Sequence, residues 1–157
     1  MSESARATSA AEARFRVQVP NSRPRAIKVV ALDRAGEAAV RRLAGADWHH
    51  AALFASVSPD GTLTAVDGGT RSVADEVNGA DLVVFVAGPG GHAHATRVVG
   101  EACSRRRVTT TGFLVGAASA PEPEVSKTLA QIRPWSLMVV ISRSDDYIAD
   151  MMTALRA

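Results

Sequence analysis

Residues 88–96 read GPGGHAHAT, directly after the apolar run DLVVFVA and directly before a helical pattern. Glycines that let the backbone approach a ligand, followed by the free N–H groups of a helix start, are what a phosphate or another anion requires. Gly88, Gly90, Gly91, His92, His94 and Thr96 are therefore candidate ligand-binding residues. The two imidazoles serve either as hydrogen-bond donors to a bound anion or as ordinary surface groups. Two further loops are expected at the same edge of the fold: DRAG (33–36), which supplies Asp33 and Gly36, and DGGT (67–70), which supplies Gly68 and Gly69. Both features have a plainer reading. A strand-to-helix turn needs glycine with or without a ligand, and Asp33, which would repel phosphate, is placed to cap the helix that follows it.

No catalytic residue and no metal ligand is assigned. LDRAGEAAV lacks G-x-G-x-x-G, and GPGGHAHAT lacks the G-K-[ST] ending of a phosphate-binding P-loop. His49 and His50 follow a helix and precede a strand, which puts them a sheet's length from His92 and His94. The latter pair, spaced i, i+2, would point to different sides of a helix, and the chain has no H-E-x-x-H arrangement. Cys103 reads as a small core residue late in its helix, and Ser119 and Ser142 lack a G-x-S-x-G setting. Arg105, Arg106 and Arg107 suit the negative end of a helix dipole, and Trp135 suits a helix-to-strand corner.

These loops hang on alternating strand and helix patterns. Strands are read at 27–33, 52–58, 81–87, 108–116 and 136–142, with TLTAV after the SPDGT turn as a short hairpin arm. Helices are read at 35–45, 71–78, 92–105, 122–132 and 144–155. Strands alternating with helices define a three-layer, Rossmann-like α/β sandwich with a mainly parallel sheet of five to six strands. Its ligand crevice is expected at the carboxyl ends of the strands, where the winding reverses.

With 157 residues, 46% of them hydrophobic, the chain can bury a full-sized core. Its formal net charge is +2, but residues 1–25 hold five arginines against Glu3 and Glu12, and the remainder holds 13 basic and 14 acidic side chains. The positive charge belongs to an Ala-, Ser- and Arg-rich leader that is expected to be disordered, ahead of one domain over 26–157. Nucleic acid is not an expected partner, since aromatic residues are too scarce for base stacking. One cysteine and apolar runs too short to span a bilayer point to a soluble, cytoplasmic protein without a membrane partner.

The segments IKVVALDRAGEAAVRRLAGADWHHAALFASVS, VADEVNGADLVVFVAGPGGHAHATRVVGEA and VSKTLAQIRPWSLMVVISRSDDYIADMM follow one another in an order that resembles the nucleotide-binding domain of the bacterial cell-division protein FtsZ and its tubulin relatives. The resemblance spans roughly residues 26–152. It implies that Asp81–Ala87 is the strand leading into a phosphate loop at Gly88–Thr96, with the first strand central in the sheet. It also implies a nucleotide or another phosphate-containing ligand as cofactor. The first loop, DRAGEAAV, replaces the family's run of glycines, and His92, Ala93 and His94 replace its threonines, so the chain alone is not expected to hydrolyse GTP. Three functions stay open at this point. One is a non-hydrolysing binding or regulatory module for an anionic ligand. Another is a protein-interaction or assembly subunit, alone or as a homo-oligomer, with a vestigial crevice. The third is an enzyme using His92 or His94 on a phosphorylated metabolite.

Overall fold

The computed structural model describes residues 23–91, 93–144 and 146–157. Most of the leader (residues 1–22) and His92 lie outside the described residues. The elements are β1 (Ile27–Ala31), α1 (Arg34–Leu43), β2 (Ala51–Val57), β3 (Thr62–Ala65), β4 (Thr70–Ser72), α2 (Val73–Asn78), β5 (Leu82–Ala87), α3 (Thr96–Arg106), β6 (Thr109–Leu114), α4 (Glu122–Ile132), β7 (Met138–Ile141) and α5 (Tyr147–Ala154). They build one sheet in the order β4-β3-β2-β1-β5-β6-β7. Strands β2, β1, β5, β6 and β7 are mutually parallel, and β3 and β4 extend the sheet as an antiparallel hairpin.

The β-branched and apolar runs form the parallel strands because both of their faces are covered. All six side chains of β5 are buried. Alternate residues separate two cores: Ile27, Val29, Ala31, Leu82, Val84 and Val86 face Ala39, Val40 and Leu43 of α1 and Ile148 and Met152 of α5. On the other face Val30, Val83 and Phe85 meet Val73 and Val77 of α2, Val99 and Cys103 of α3 and Ile132 of α4. Helix α1 buries Gly36, Ala39, Val40 and Leu43, the spacing that aims one stripe of a helix at a sheet. Its end is held by Trp48, whose indole Nε1 donates to the Leu43 carbonyl at 2.9 Å. Trp135 fills the corner between α4 and β7, with its ring against Gly100 of α3.

The three-layer, mainly parallel sandwich agrees with the sequence-based reading, and β1 stands in the middle of the sheet. The strand count is seven rather than five to six, because Thr70–Ser72 pairs with β3. That segment overlaps the start of the helix predicted over 71–78, and α2 begins two residues later than predicted, at Val73. All three β4 side chains are exposed, so it lacks the apolar alternation that marks a strand. Helix α3 begins at Thr96 rather than at residue 92, with the tighter 3-10 turn Ala93–Ala95 before it.

Candidate functional site

The chain leaves β1 toward β2 on one side and returns to β5 on the other, so the switch point lies between the carboxyl ends of β1 and β5. Asp33 and Gly88 occupy it. The Asp33 carboxylate accepts the Gly36 N–H through Oδ1 at 2.8 Å, which makes it the N-cap of α1. It also accepts the Gly88 N–H, at 3.1 Å to Oδ1 and 3.0 Å to Oδ2. One carboxylate thus pins the start of α1 to the loop after β5, fifty-five residues away.

The glycines of this loop are spent on chain-to-chain contact. A methyl group on Gly91 would sit 2.0 Å from Asp33 Oδ2, one on Gly88 would sit 2.4 Å from the Ala35 Cβ, and one on Gly36 would sit 2.1 Å from the Val86 carbonyl oxygen. Of Gly88, Gly90 and Gly91 only Gly90 has a positive φ, 75°. The sequence pattern therefore located a place of close approach, but the approaching group is the protein itself.

Besides Gly88, two more backbone donors of the loop are engaged. Gly90 N–H donates to Thr128 Oγ1 at 3.0 Å and to the Glu124 carbonyl at 3.3 Å, and Ala93 N–H donates to Gln131 Oε1 at 2.9 Å. Thr128 in turn donates to the Gly88 carbonyl at 3.3 Å, so α4 holds the loop along its length. The Thr96 hydroxyl, buried, donates back to the Ala93 carbonyl. The Glu124 carboxylate lies 3.1 Å from where a side chain on Gly90 would begin. Asp33 and Glu124 thus place two carboxylates beside the turn that the sequence assigns to an anion, which opposes phosphate by simple Coulomb repulsion. Sequence reasoning missed Thr128, Gln131 and Glu124, since nothing local marks a helix residue that bonds a loop 34 to 40 positions away.

Of the three loops expected to converge, two do. Gly68 and Gly69 lie at the opposite edge of the sheet, which corrects their assignment. Strand β3 runs antiparallel to β2, with Ala65 beside Phe54 and Val66 N–H donating to the Leu53 carbonyl, so the chain leaves β3 beside the amino half of β2. There DGGT forms a tight turn, with Gly69 N–H on Asp67 Oδ1 at 2.9 Å and Gly68 N–H on the Ala65 carbonyl. This turn borders a cleft of about 410 Å³ lined by Ala51, Leu53, Phe54, Asp67, Arg71 and Glu76. Glu76 is neutralised there by Lys28 at 2.7 Å.

The carboxyl edge has a cleft of about 400 Å³ between β1 and β2, where Asp33, Arg34, Glu37 and Ser56 are the polar groups. His94 is exposed on the 3-10 turn, and His49 and His50 are exposed at the amino edge, where Ile27 N–H donates to the His50 carbonyl at 3.0 Å. His94 thus falls at the opposite end of the strands from His49 and His50. Among the described residues no group of three or more His, Cys, Asp and Glu is placed to hold a metal ion.

Cys103 faces the second core, and its burial pushes the thiol up to about 11. The fold favours the neutral thiol, so this contribution to stability is complete below the ordinary thiol pKa near 9.0 and is lost as pH rises toward 11. Alkylation of the native protein at pH 8 is expected to be far slower than in denaturant, and a Cys103→Ser variant should lose less stability between pH 9 and 11 than the parent. Equal alkylation rates in the folded and denatured chain would contradict this placement.

The two edges of the sheet differ. Strand β4 is short, polar and carries the exposed Arg71, the kind of edge that resists pairing with other chains. The β7 edge exposes Leu137 (80%), Met138 (54%) and Ile141 (50%), and Tyr147 of α5 is also half exposed (51%). Tyr147 is held by Phe113, with ring centroids 5.9 Å apart.

The fold and these contacts define an open, doubly wound α/β protein with a closed switch point and one apolar edge. No protein-family model matches the chain, and no curated protein matches it. Among the described residues no helix is long and apolar enough to cross a membrane.

Proposed function

We propose that this chain is a protein-interaction or assembly subunit, with β7 as its working edge and the crevice at Asp33 and Gly88 as a structural seam. The observation that carries this reading is the run of exposed apolar side chains along the outermost strand, Leu137, Met138 and Ile141. A sheet edge with unpaired backbone groups and no charged guard is a template for pairing. The engaged N–H groups of Gly88, Gly90 and Ala93 support the same reading, because an anion would have to displace Asp33 and confront Glu124. On this view the glycine-rich turn is inherited from a nucleotide-binding design of the FtsZ and tubulin kind and now serves packing.

A thermal-shift panel of GTP, inorganic phosphate and phosphorylated sugars tests the reading on the full chain. A ligand at 100 times its Kd adds about 2.7 kcal/mol of stability. No specific shift is expected; a shift with GTP or a phosphorylated metabolite would return the function to ligand binding or to enzymatic work at His94. Leu137→Lys should leave the unfolding free energy within about 0.5 kcal/mol of the parent, as for any surface position away from the core. A larger loss would mean that the patch belongs to the monomer's own packing.

A further inference from the structure

Resting on that reading, we infer that the partner of β7 is a second copy of this chain, joined by antiparallel pairing of the two β7 strands about a two-fold axis at Val139. The motive is a near-palindrome. Residues 136–142 read SLMVVIS. Turned end for end about Val139, Ser136 meets Ser142, Leu137 meets Ile141, Met138 meets Val140, and Val139 meets its own copy. The two most exposed members of one face, Leu137 and Ile141, thereby cover each other twice, and cross-strand apolar pairs of this kind are the unit of sheet stabilisation.

Charge fits the same operation. No residue from 136 to 142 is ionisable, so two copies meet without repulsion along the strand. Exposed Arg133 precedes β7 and exposed Asp146 follows it, and antiparallel pairing brings the Asp146 end of one copy to the Arg133 end of the other. Exposed Arg143 lies at the Asp146 end and tempers this attraction, which makes it a rim contribution rather than the source of affinity.

The geometry also limits the assembly. A two-fold contact uses the same patch on both subunits and closes, whereas a head-to-tail contact would build a fibre. The other edge, β4, is polar and guarded by Arg71, so pairing through β7 leaves no second apolar edge among the described strands to continue from. A strand of four residues spans only about 13 Å, a short seam beside the roughly 800 Å² per partner of a standard interface, so a weak and concentration-dependent dimer is expected.

Sedimentation velocity of the full chain over a concentration series is the first test, with the mass expected to rise from 16.4 kDa toward twice that value. Leu137→Lys and Ile141→Lys should stay monomeric at the same concentrations with unchanged melting, and Arg133→Glu should weaken the dimer about threefold, the effect of an exposed ion pair. The register is read by cysteine pairs. Leu137→Cys mixed with Ile141→Cys should form a covalent dimer on mild oxidation, since opposed Cβ atoms lie within reach of a disulfide. Leu137→Cys alone should not, its own copy lying four residues, about 13 Å, along the strand. A monomer at every concentration, a dimer that survives both lysine variants, or cross-linking by Leu137→Cys alone would overturn the inference. The first of these would leave β7 open to a different protein, whereas a specific ligand shift in the thermal panel, or a large stability loss in Leu137→Lys, would overturn the interaction reading itself.

Discussion

Gly36→Ala is expected to destabilise the protein by about 2–4 kcal/mol, although the same change in an exposed helix interior would add about 1 kcal/mol through helix propensity. The new methyl would stand 2.1 Å from the Val86 carbonyl oxygen and 2.8 Å from its carbon, both backbone atoms of the central strand β5. Neither can rotate away. Relief requires α1 to lift from the sheet, which opens the contacts of Ala39, Val40 and Leu43 with the first core. Urea unfolding reads the loss directly. The same seam gives a sharper check. Gly88→Ala meets the Ala35 Cβ at 2.4 Å, so Ala35→Gly in the same chain should recover part of the loss, with favourable coupling in a double-mutant cycle. A Gly36→Ala protein as stable as the parent, or strictly additive behaviour of Ala35 and Gly88, would show that these glycines are not packing residues.

This seam shows what was legible in the sequence. The strands were legible, because a run such as LVVFVA has one structural reading once helices alternate with it, and all six residues are buried. Asp33 as a helix cap was legible from type and position alone, and the Gly36 N–H confirms it. Its second bond, to Gly88, was not, because it is a tertiary contact between loops brought together by sheet order. The glycines were correctly read as a close approach, but sequence does not say whether a ligand or another stretch of chain does the approaching. The displacement of Gly68 and Gly69 has a different origin. Reading TLTAV as a hairpin arm already reverses the chain, and a turn after a reversed strand must fall at the amino edge; the assignment to the crevice ignored that reversal. The short β4 had no apolar period to reveal it.

Asp33→Ala is expected to cost about 2–4 kcal/mol and to convert the seam into an anion site. Two losses combine: the N-cap of α1, worth about 0.5–2 kcal/mol, and a buried Gly88 N–H left without its acceptor, worth about 1–3 kcal/mol. For a chain of this size that corresponds to a fall in melting temperature of roughly 5–15 °C. The same change frees the Gly36 and Gly88 N–H groups at the positive end of α1 and removes the nearer of the two carboxylates, leaving a pocket where the carboxyl oxygens stood. Inorganic phosphate should therefore stabilise Asp33→Ala more than it stabilises the parent at matched ionic strength, the parent serving as the control for general salting-out by phosphate. Asp33→Asn, which keeps one side-chain oxygen for the Gly36 N–H, should lose less stability and gain less from phosphate. Equal phosphate response in the parent and in Asp33→Ala would mean that the carboxylate does not occupy the cradle, and the case for a closed crevice would fall with it.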